Sequence, residues 1–419
     1  MRPLLYSGHA RGLCERVLST SLEIKAINLS VAANRPHAKL RQILVAVVAF
    51  RHSAVDELLD CNHALLQDLF AIAEHEGLGN LLAHRLPATR CEIASQLRKE
   101  WQSSIDQRRA WALLQAKVAR SALDLLEQRG IPSRVFKGAP LSVALYGEPG
   151  LRVSADIDLL VSASSASDAA LVLVKNGYVS AIEPRWFSDP AVIAQTREAP
   201  FSTLGGVLSI DLHWRLLDAW NGNEYLTETE VFAAPKCNIE VDGIDFPWFT
   251  SEQLWTIQLG NVVGSSWTGL KAFVDLAYAS DAMSKSDWLL QADRAAARGF
   301  TPVLATALLV LQRLFERDVS HAQALIPAPT MASRRISLFA DKCVARLLSG
   351  ASAQPNQSQI FSAGWAMRSS VTEAGRLVRQ LWTPSIEDYR VMPVGTSKCK
   401  RTLFAIRRRA LKLIPPQKP

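Results

Sequence analysis

Asp156-Ile157-Asp158 opens an otherwise apolar run, Asp156–Val161. In a strand, residues two apart point to the same side, so both carboxylates share one face. Like charges held that close repel unless a cation bridges them, and magnesium takes oxygen ligands of this kind. Taken alone, so common a triplet is better read as two solvated acids at a loop–strand junction. Its surroundings add chemistry. Lys137-Gly138 precedes it at a strand-to-helix junction, where free backbone N–H groups and a cation can hold phosphate; a solvated lysine at a turn is the plainer reading. Gly150-Leu151-Arg152 sits just ahead of the acids, so a guanidinium is at hand, either for developing charge or for an ion pair that serves only the fold. Downstream, Ser209-Ile210-Asp211-Leu212-His213-Trp214 sets another acid in an apolar strand, where an unpaired buried carboxylate would be costly. If Asp211 lies on a neighbouring strand, three carboxylates converge. His213 falls on the same strand face as Asp211 and is either a metal neighbour or proton carrier, or a packed histidine beside Trp214.

The elements that must position these residues follow from periodicity. Ser133–Phe136 reads as a short strand, Ala139–Tyr146 as a helix closed by Gly147-Glu148-Pro149-Gly150, and Asp156–Val161 as a strand. Ser167–Asn176 reads as a helix ending at Gly177, Gly206–Trp214 as a strand, and Ile239–Phe246 as an extended segment with Asp242-Gly243 as a turn inside it. Helical spacing covers Leu40 to about Leu126, including Ala64–His84 and Trp101–Leu126, and returns from Ser251 to about Ser349. Gly350–Ser358 is polar and reads as a linker; a basic amphipathic helix follows from about Arg401 to Leu413.

Phe136-Lys137-Gly138, then Leu-Tyr-Gly-Glu-Pro-Gly-Leu-Arg152, Asp156-Ile-Asp158-Leu-Leu-Val and Asp211-Leu-His213-Trp214, resemble the uncharacterised nucleotidyltransferase family, a branch of the DNA polymerase beta-like nucleotidyltransferase superfamily. Ala71-Ile-Ala-Glu-His-Glu-Gly-Leu-Gly-Asn-Leu-Leu82 resembles the family's N-terminal helical signature, and Pro384-Ser-Ile-Glu-Asp388 with the closing basic helix resembles its C-terminal end. The resemblance implies transfer of a nucleotidyl group from an NTP to an acceptor, with magnesium or manganese as cofactor. It implies that Asp156, Asp158 and Asp211 are the catalytic, metal-holding carboxylates, Asp211 lying nearest the acceptor oxygen. Lys137, Gly138, Arg152 and Ser154 become the nucleotide-binding residues. Two departures stand out. Lys137-Gly138 replaces the Gly-Ser pair of better-known members, which implies a different phosphate grip or another reaction. Asn261-Val-Val-Gly264-Ser-Ser-Trp267 stands where the family often carries a His-Gly-Ala-Lys-like run, ahead of a well-matched Leu270-Lys271 and Asp275-Leu276.

Composition narrows the remaining classes. Of 419 residues, 48% are hydrophobic and 21% charged, which argues against a largely disordered chain. The most apolar runs, Ile43–Phe50 and Val303–Leu311, fall well short of the ~20 residues that cross a bilayer. The net charge of +8 resides in residues 371–419, where eleven Lys/Arg face three acids, so the body is neutral. Six scattered cysteines lack zinc-knuckle spacing and suggest a reducing compartment. Without a continuous apolar stretch of signal-peptide type at the N-terminus, a cytoplasmic address is expected. His75-Glu76 lacks the partner of a zinc protease, and no P-loop sequence occurs. Trp186, Trp248, Trp255 and Trp267 fit interdomain core or a base-stacking surface.

The expected fold is α+β, a small mixed sheet flanked by N- and C-terminal helical regions. The expected division is a disordered segment (1–38), a helical region (39–127), the nucleotidyltransferase-like core (128–248), a second helical region (249–349), and a linker with the basic helix (350–419). The expected acceptor is a hydroxyl or phosphate of a small molecule or peptide, with a peptide natural-product pathway implied by resemblance only. Two alternatives stay open. One is a binding or scaffold protein that has lost turnover, suggested by Asn261 and Gly264; the other is an RNA-directed, toxin-like nucleotidyltransferase, suggested by the basic tail.

Overall fold

The computed structural model describes residues 36–49, 63–85, 92–203, 206, 208–216, 226–233, 237–317, 331–350, 384, 386–393 and 396–413. In chain order these form α1 (Pro36–Val48), α2 (His63–His75), α3 (Gly79–Arg85), α4 (Glu92–Glu127), β1 (Ser133–Val135), α5 (Gly138–Tyr146), β2 (Asp156–Val161), α6 (Ala166–Lys175), β3 (Val179–Ser180), α7 (Pro190–Gln195), β4 (Glu198–Ser202) and β5 (Ser209–His213). There follow α8 (Glu228–Ala233), β6 (Cys237–Val241), β7 (Ile244–Trp248), α9 (Ser251–Gly264), α10 (Leu270–Asp281), α11 (Lys285–Arg298), α12 (Thr301–Phe315), α13 (Met331–Ser349), α14 (Ile386–Tyr389) and α15 (Lys398–Leu413). Among the described residues no helix is long and apolar enough to cross a membrane.

Alternation along the strands decides how the sheet faces. The five strands lie in the order β1-β2-β5-β4-β3, with β2 and β5 parallel and every other pair antiparallel. Ile157, Leu159 and Val161 of β2, Ile210 and Leu212 of β5, and Ala199 and Phe201 of β4 are buried in one apolar core. That core also holds Ala112, Ala116, Ala119, Ala122, Leu123 and Leu126 of α4 and Ala166, Ala169, Ala170 and Leu173 of α6. The alanine ladder lets α4 approach the sheet closely. By the same period of two, Asp156 and Asp158, Asp211 and His213, and Glu198 fall on the opposite face. The fold is α+β, as expected.

The remaining helices share a second core. Leu40–Ala49 of α1 and its turn, Leu66–Ala83 of α2 and α3, and Trp255–Leu347 of α9 to α13 contribute to a single apolar cluster. Segments before and after the sheet in sequence thus pack together, while the C-terminal half of α4 belongs to the sheet. A third cluster, including Phe136, Leu160, Trp248 and Leu254, joins the two. Trp186, Trp248, Trp255 and Trp267 are all buried in these cores, which removes them as an open base-stacking surface.

Several local expectations need correction. Ala64–His84 is two helices rather than one, broken where Gly77 takes φ +69°. The extended segment 239–246 is a hairpin, β6–β7, forming its own two-stranded sheet with Asp242 and Gly243 both at positive φ in the turn. Strands β3 and β4 were not expected; Pro200 argues against a strand inside a sheet, but β3 covers only two residues of β4, so β4 is nearly an edge. Residues 36–38 begin α1, whereas the rest of the expected disordered segment, 1–35, lies outside the described residues, as does the linker beyond Gly350 up to 383.

Candidate active site

The loop that delivers Asp156 is clamped by the N-terminal helices. Gly147 closes α5 at φ +86°, and Gly150, also at φ +86°, lies so close to α4 that an added Cβ would come within 2.8 Å of Arg109 Cα. Asn80 Nδ2 donates to Gly150 O (2.8 Å), Arg108 Nη1 donates to Asn80 Oδ1 (2.9 Å), and Glu74 pairs with Arg108. The helical signature around Glu74 and Asn80 therefore holds the turn ahead of the acids. Gln115 of α4 adds a bond from Nε2 to Ser154 O (3.2 Å), and Ser154 Oγ donates to Asp156 Oδ1 (3.2 Å).

Register then brings the acids together. Asp156 sits opposite Ser209 and Asp158 opposite Asp211 on the parallel pair β2–β5, and Glu198 sits opposite His213 on β4–β5. Asp158 is buried, with Oδ1 accepting from Lys137 Nζ at 2.6 Å and lying 3.0 Å from His213 Nε2. Its Oδ2 has no hydrogen-bond partner. Burial opposes the Asp158 charge, but Lys137 and His213 outweigh it and hold the carboxyl far below the usual range. His213 Nδ1 lies 3.0 Å from Glu198 Oε2, within ion-pair range but short of hydrogen-bond alignment. Donor atoms of Asp158, Asp211 and His213 all lie within 4.8 Å of one another, a set that could hold a metal ion. Asp156, half-buried at the head of β2, is outside that tight set.

Asp211 has the opposite electrostatics to Asp158. Burial pushes its carboxyl up to about 6; His213 opposes the rise, and the neighbouring carboxylates Asp156, Glu198 and Asp158 add to it. A carboxyl raised in the folded state binds its proton more tightly there than in the unfolded chain. Stability therefore rises as pH falls through about 6 and levels off near the unfolded value of ~3.9. Without divalent ions, Asp211→Asn is expected to melt at a higher temperature than wild type at pH 7.5, with the gap closing by pH 4. Thermal melts across that range check this; an unchanged gap would show that Asp211 carries no such strain.

The other residues singled out in the sequence are placed as follows. Lys137 caps α5 with φ −136°, and Gly138 begins the helix at φ +69° with open space where a Cβ would be. Arg152 is committed elsewhere: its Nε donates to Asp275 Oδ2 (2.9 Å), a carboxylate that also accepts from Tyr146 Oη (2.5 Å). Both partners of this ion pair are buried. The guanidinium thus pairs with an acid of α10, neither with Asp156 nor with Asp158. Asn261 Nδ2 donates to Gln258 Oε1 (3.0 Å), and nothing lies within 4 Å of the Cβ position at Gly264.

Lys271 and Glu198 are additions the sequence reading missed. Lys271 Nζ donates to Val153 O on the loop that leads to the acids. Burial lowers its ammonium to about 8, with Arg152 adding to the shift and Asp275 and Asp156 opposing it. The well-matched Leu270-Lys271 run was the signal for it. Glu198 had none, because β4 itself was not legible. The basic C-terminal helix docks through its first turns: Arg401 pairs with Asp189 (2.5 Å) and lies 4.8 Å over the Trp186 ring, and Ala405 is fully buried.

A family model described as uncharacterised nucleotidyltransferase matches residues 62–316, well over half the chain. The chain belongs to that family. None of the curated proteins or solved structures compared with it matches. For a nucleotidyltransferase, the matched span is instructive: it starts at the helices that clamp the Gly150 turn and ends with α12, so the carboxylate face and Lys271 lie inside it. The docked basic helix lies beyond it.

Proposed function

We propose that this nucleotidyltransferase moves an NMP from an NTP to a hydroxyl or phosphate of a small-molecule or peptide acceptor, with magnesium as cofactor and manganese able to replace it. The observation that carries this reading is the register of Asp158 with Asp211 on adjacent parallel strands, with Asp156 on the same face. The donor set fits a divalent ion, because Asp158 has a buried, unpartnered Oδ2 and donor atoms of Asp158, Asp211 and His213 lie within 4.8 Å of one another. When bound, such an ion neutralises phosphate charge and polarises the phosphoryl centre.

In this reading Asp156, Asp158 and Asp211 hold the metal, and Asp211 takes the proton from the acceptor oxygen. That oxygen forms a bond to the α-phosphorus as the bond to the bridging oxygen breaks, and pyrophosphate leaves with the electron pair. Lys137 and the amides at the start of α5, from Gly138 onward, steady the phosphates, and Ser154 orients Asp156. Arg152 acts at one remove, by holding the loop to α10. Lys271 holds the Val153 carbonyl of that loop and adds a cation whose charge acts on Asp156. The docking of α15 through Arg401 favours a non-RNA acceptor, and a cytoplasmic setting suits an NTP donor.

Thermal stability with each of ATP, GTP, CTP and UTP, with and without magnesium, tests the reading on wild type and on Asp156→Ala/Asp158→Ala. A ligand that binds only the native state adds RT ln(1 + [L]/Kd), about 2.7 kcal/mol at a hundredfold excess over Kd. The expected result is a magnesium-dependent rise with one NTP that vanishes in the variant. No rise with any NTP would replace the enzyme reading with that of a scaffold.

A further inference from the structure

The carboxylate face carries one nitrogen donor, and the groups around it are those of a metal ligand. His213 is only 4% exposed, so its ring cannot be satisfied by bulk water. Its Nε2 faces Asp158 at 3.0 Å, while its Nδ1 lies 3.0 Å from Glu198 Oε2 on the neighbouring strand. Ligating histidines commonly have their second nitrogen turned toward a carboxylate, which selects the tautomer and makes the ligating nitrogen more basic. The Phe136 ring meets the imidazole edge-on at 4.9 Å and restricts its rotation.

A second observation concerns the carboxylate that faces this histidine. Asp158 is 1% exposed, yet its Oδ2 has no hydrogen-bond partner, although Oδ1 accepts from Lys137 and lies 3.0 Å from His213 Nε2. A buried carboxylate oxygen left unpaired is costly, and the usual explanation is a water or an ion. The donor atoms of Asp158, Asp211 and His213 lie within 4.8 Å of one another, close enough for one ion to reach all three.

We propose that Asp158, Asp211 and His213 form a single nitrogen-containing metal site, with Glu198 as the positioning residue of His213, and that this site binds manganese or cobalt more tightly than the magnesium of the proposed function. The proposal rests on the nucleotidyltransferase reading for what the ion does, and deepens it by naming the ligand that chooses the ion. Magnesium prefers oxygen donors in a nearly regular octahedron and keeps its waters, so an imidazole adds little to its binding. Affinity for a site with a nitrogen donor rises from manganese to cobalt. Asp156, on the same face but outside the tight donor set, remains the outer metal carboxylate of the proposed function.

The test uses the full chain without nucleotide. Manganese binding is followed by loss of the free-ion EPR signal, cobalt by its visible absorption, and magnesium by competition. Manganese is expected to bind at least tenfold more tightly than magnesium. His213→Gln, which keeps size and polarity, is expected to lose manganese affinity 10–100-fold and to shift the cobalt bands, with magnesium changed less than about threefold. Glu198→Gln, which touches no ion, is expected to weaken manganese by ~10-fold. Circular dichroism establishes that each variant is folded; should His213→Gln not fold, the Glu198→Gln titration and the wild-type metal preference decide. Equal manganese affinity in wild type and His213→Gln, with Asp158→Asn still abolishing binding, would overturn the histidine ligand and leave the carboxylate site standing. Failure of wild type to bind any ion, alongside NTP stabilisation that needs magnesium, would also overturn it. Absence of both would overturn the parent reading as well.

Discussion

Asp158→Asn is expected to lower nucleotidyl transfer by ~10³-fold or more, because several kcal/mol of charge stabilisation at the phosphoryl centre depends on that carboxylate. Asp158 is the hub of the site: it holds Lys137 at 2.6 Å, approaches His213 at 3.0 Å and leaves Oδ2 without a hydrogen-bond partner. The amide keeps the shape and removes the charge. Asp156→Asn should cost less, ~10–100-fold, because Asp156 lies outside the tight donor set. Loss of the carboxylate also leaves Lys137 and His213 beside an uncharged group, so stability at pH 7 should fall by ~2–3 kcal/mol. This component follows the depressed Asp158 carboxyl: it is present above the unfolded value of ~3.9 and is lost as pH falls toward the folded one. Pyrophosphate release measured with the NTP that stabilises wild type checks the effect on rate. Activity of Asp158→Asn within tenfold of wild type would remove Asp158 from the chemistry.

The second large effect concerns stability. Arg152 and Asp275 form a buried ion pair, completed by Tyr146 Oη donating to Asp275, while the Arg152 backbone N–H separately donates to Ser142 Oγ at 3.0 Å. Removing one partner of such a pair leaves an uncompensated buried charge, which costs ~3–5 kcal/mol. Arg152→Met and Asp275→Leu should each show that loss in urea unfolding. The double variant should recover most of it, since no orphaned charge remains. The pair links the loop carrying Asp156 to α10, so the single variants should also raise KM for the NTP. A single substitution costing under ~1 kcal/mol would show that the guanidinium is free to serve the nucleotide instead.

The local elements were legible where sequence and neighbours agree. β2 follows from a run of apolar residues headed by acids, and its bounds, Asp156–Val161, match the expected strand. α5 and α6 lie within one residue or so of expectation, because Gly147 and Gly177 mark their ends. β4 was not legible: five residues with a central proline carry too weak an alternation, and the strand forms because β5 offers it a ladder. Glu198 was hidden for that reason. Arg152 was legible as a buried or functional cation, but its partner lies 123 residues away on α10, a distance no local pattern spans.

The sequence by itself determined that two carboxylates share one face of a strand, since period two is a property of the backbone. It also determined the α+β class and the family, through motifs whose glycines have physical reasons: Gly147 ends a helix and Gly150 leaves room for α4. Only the tertiary structure decided which groups meet. Register between β2, β5 and β4 sets Asp158 against Asp211 and His213 against Glu198, and the packing of α10 gives Arg152 to Asp275 while bringing Lys271 to the loop. Periodicity reports which way a side chain points, but the identity of its neighbour depends on strand pairing and helix docking, which are set by contacts between residues far apart in the chain.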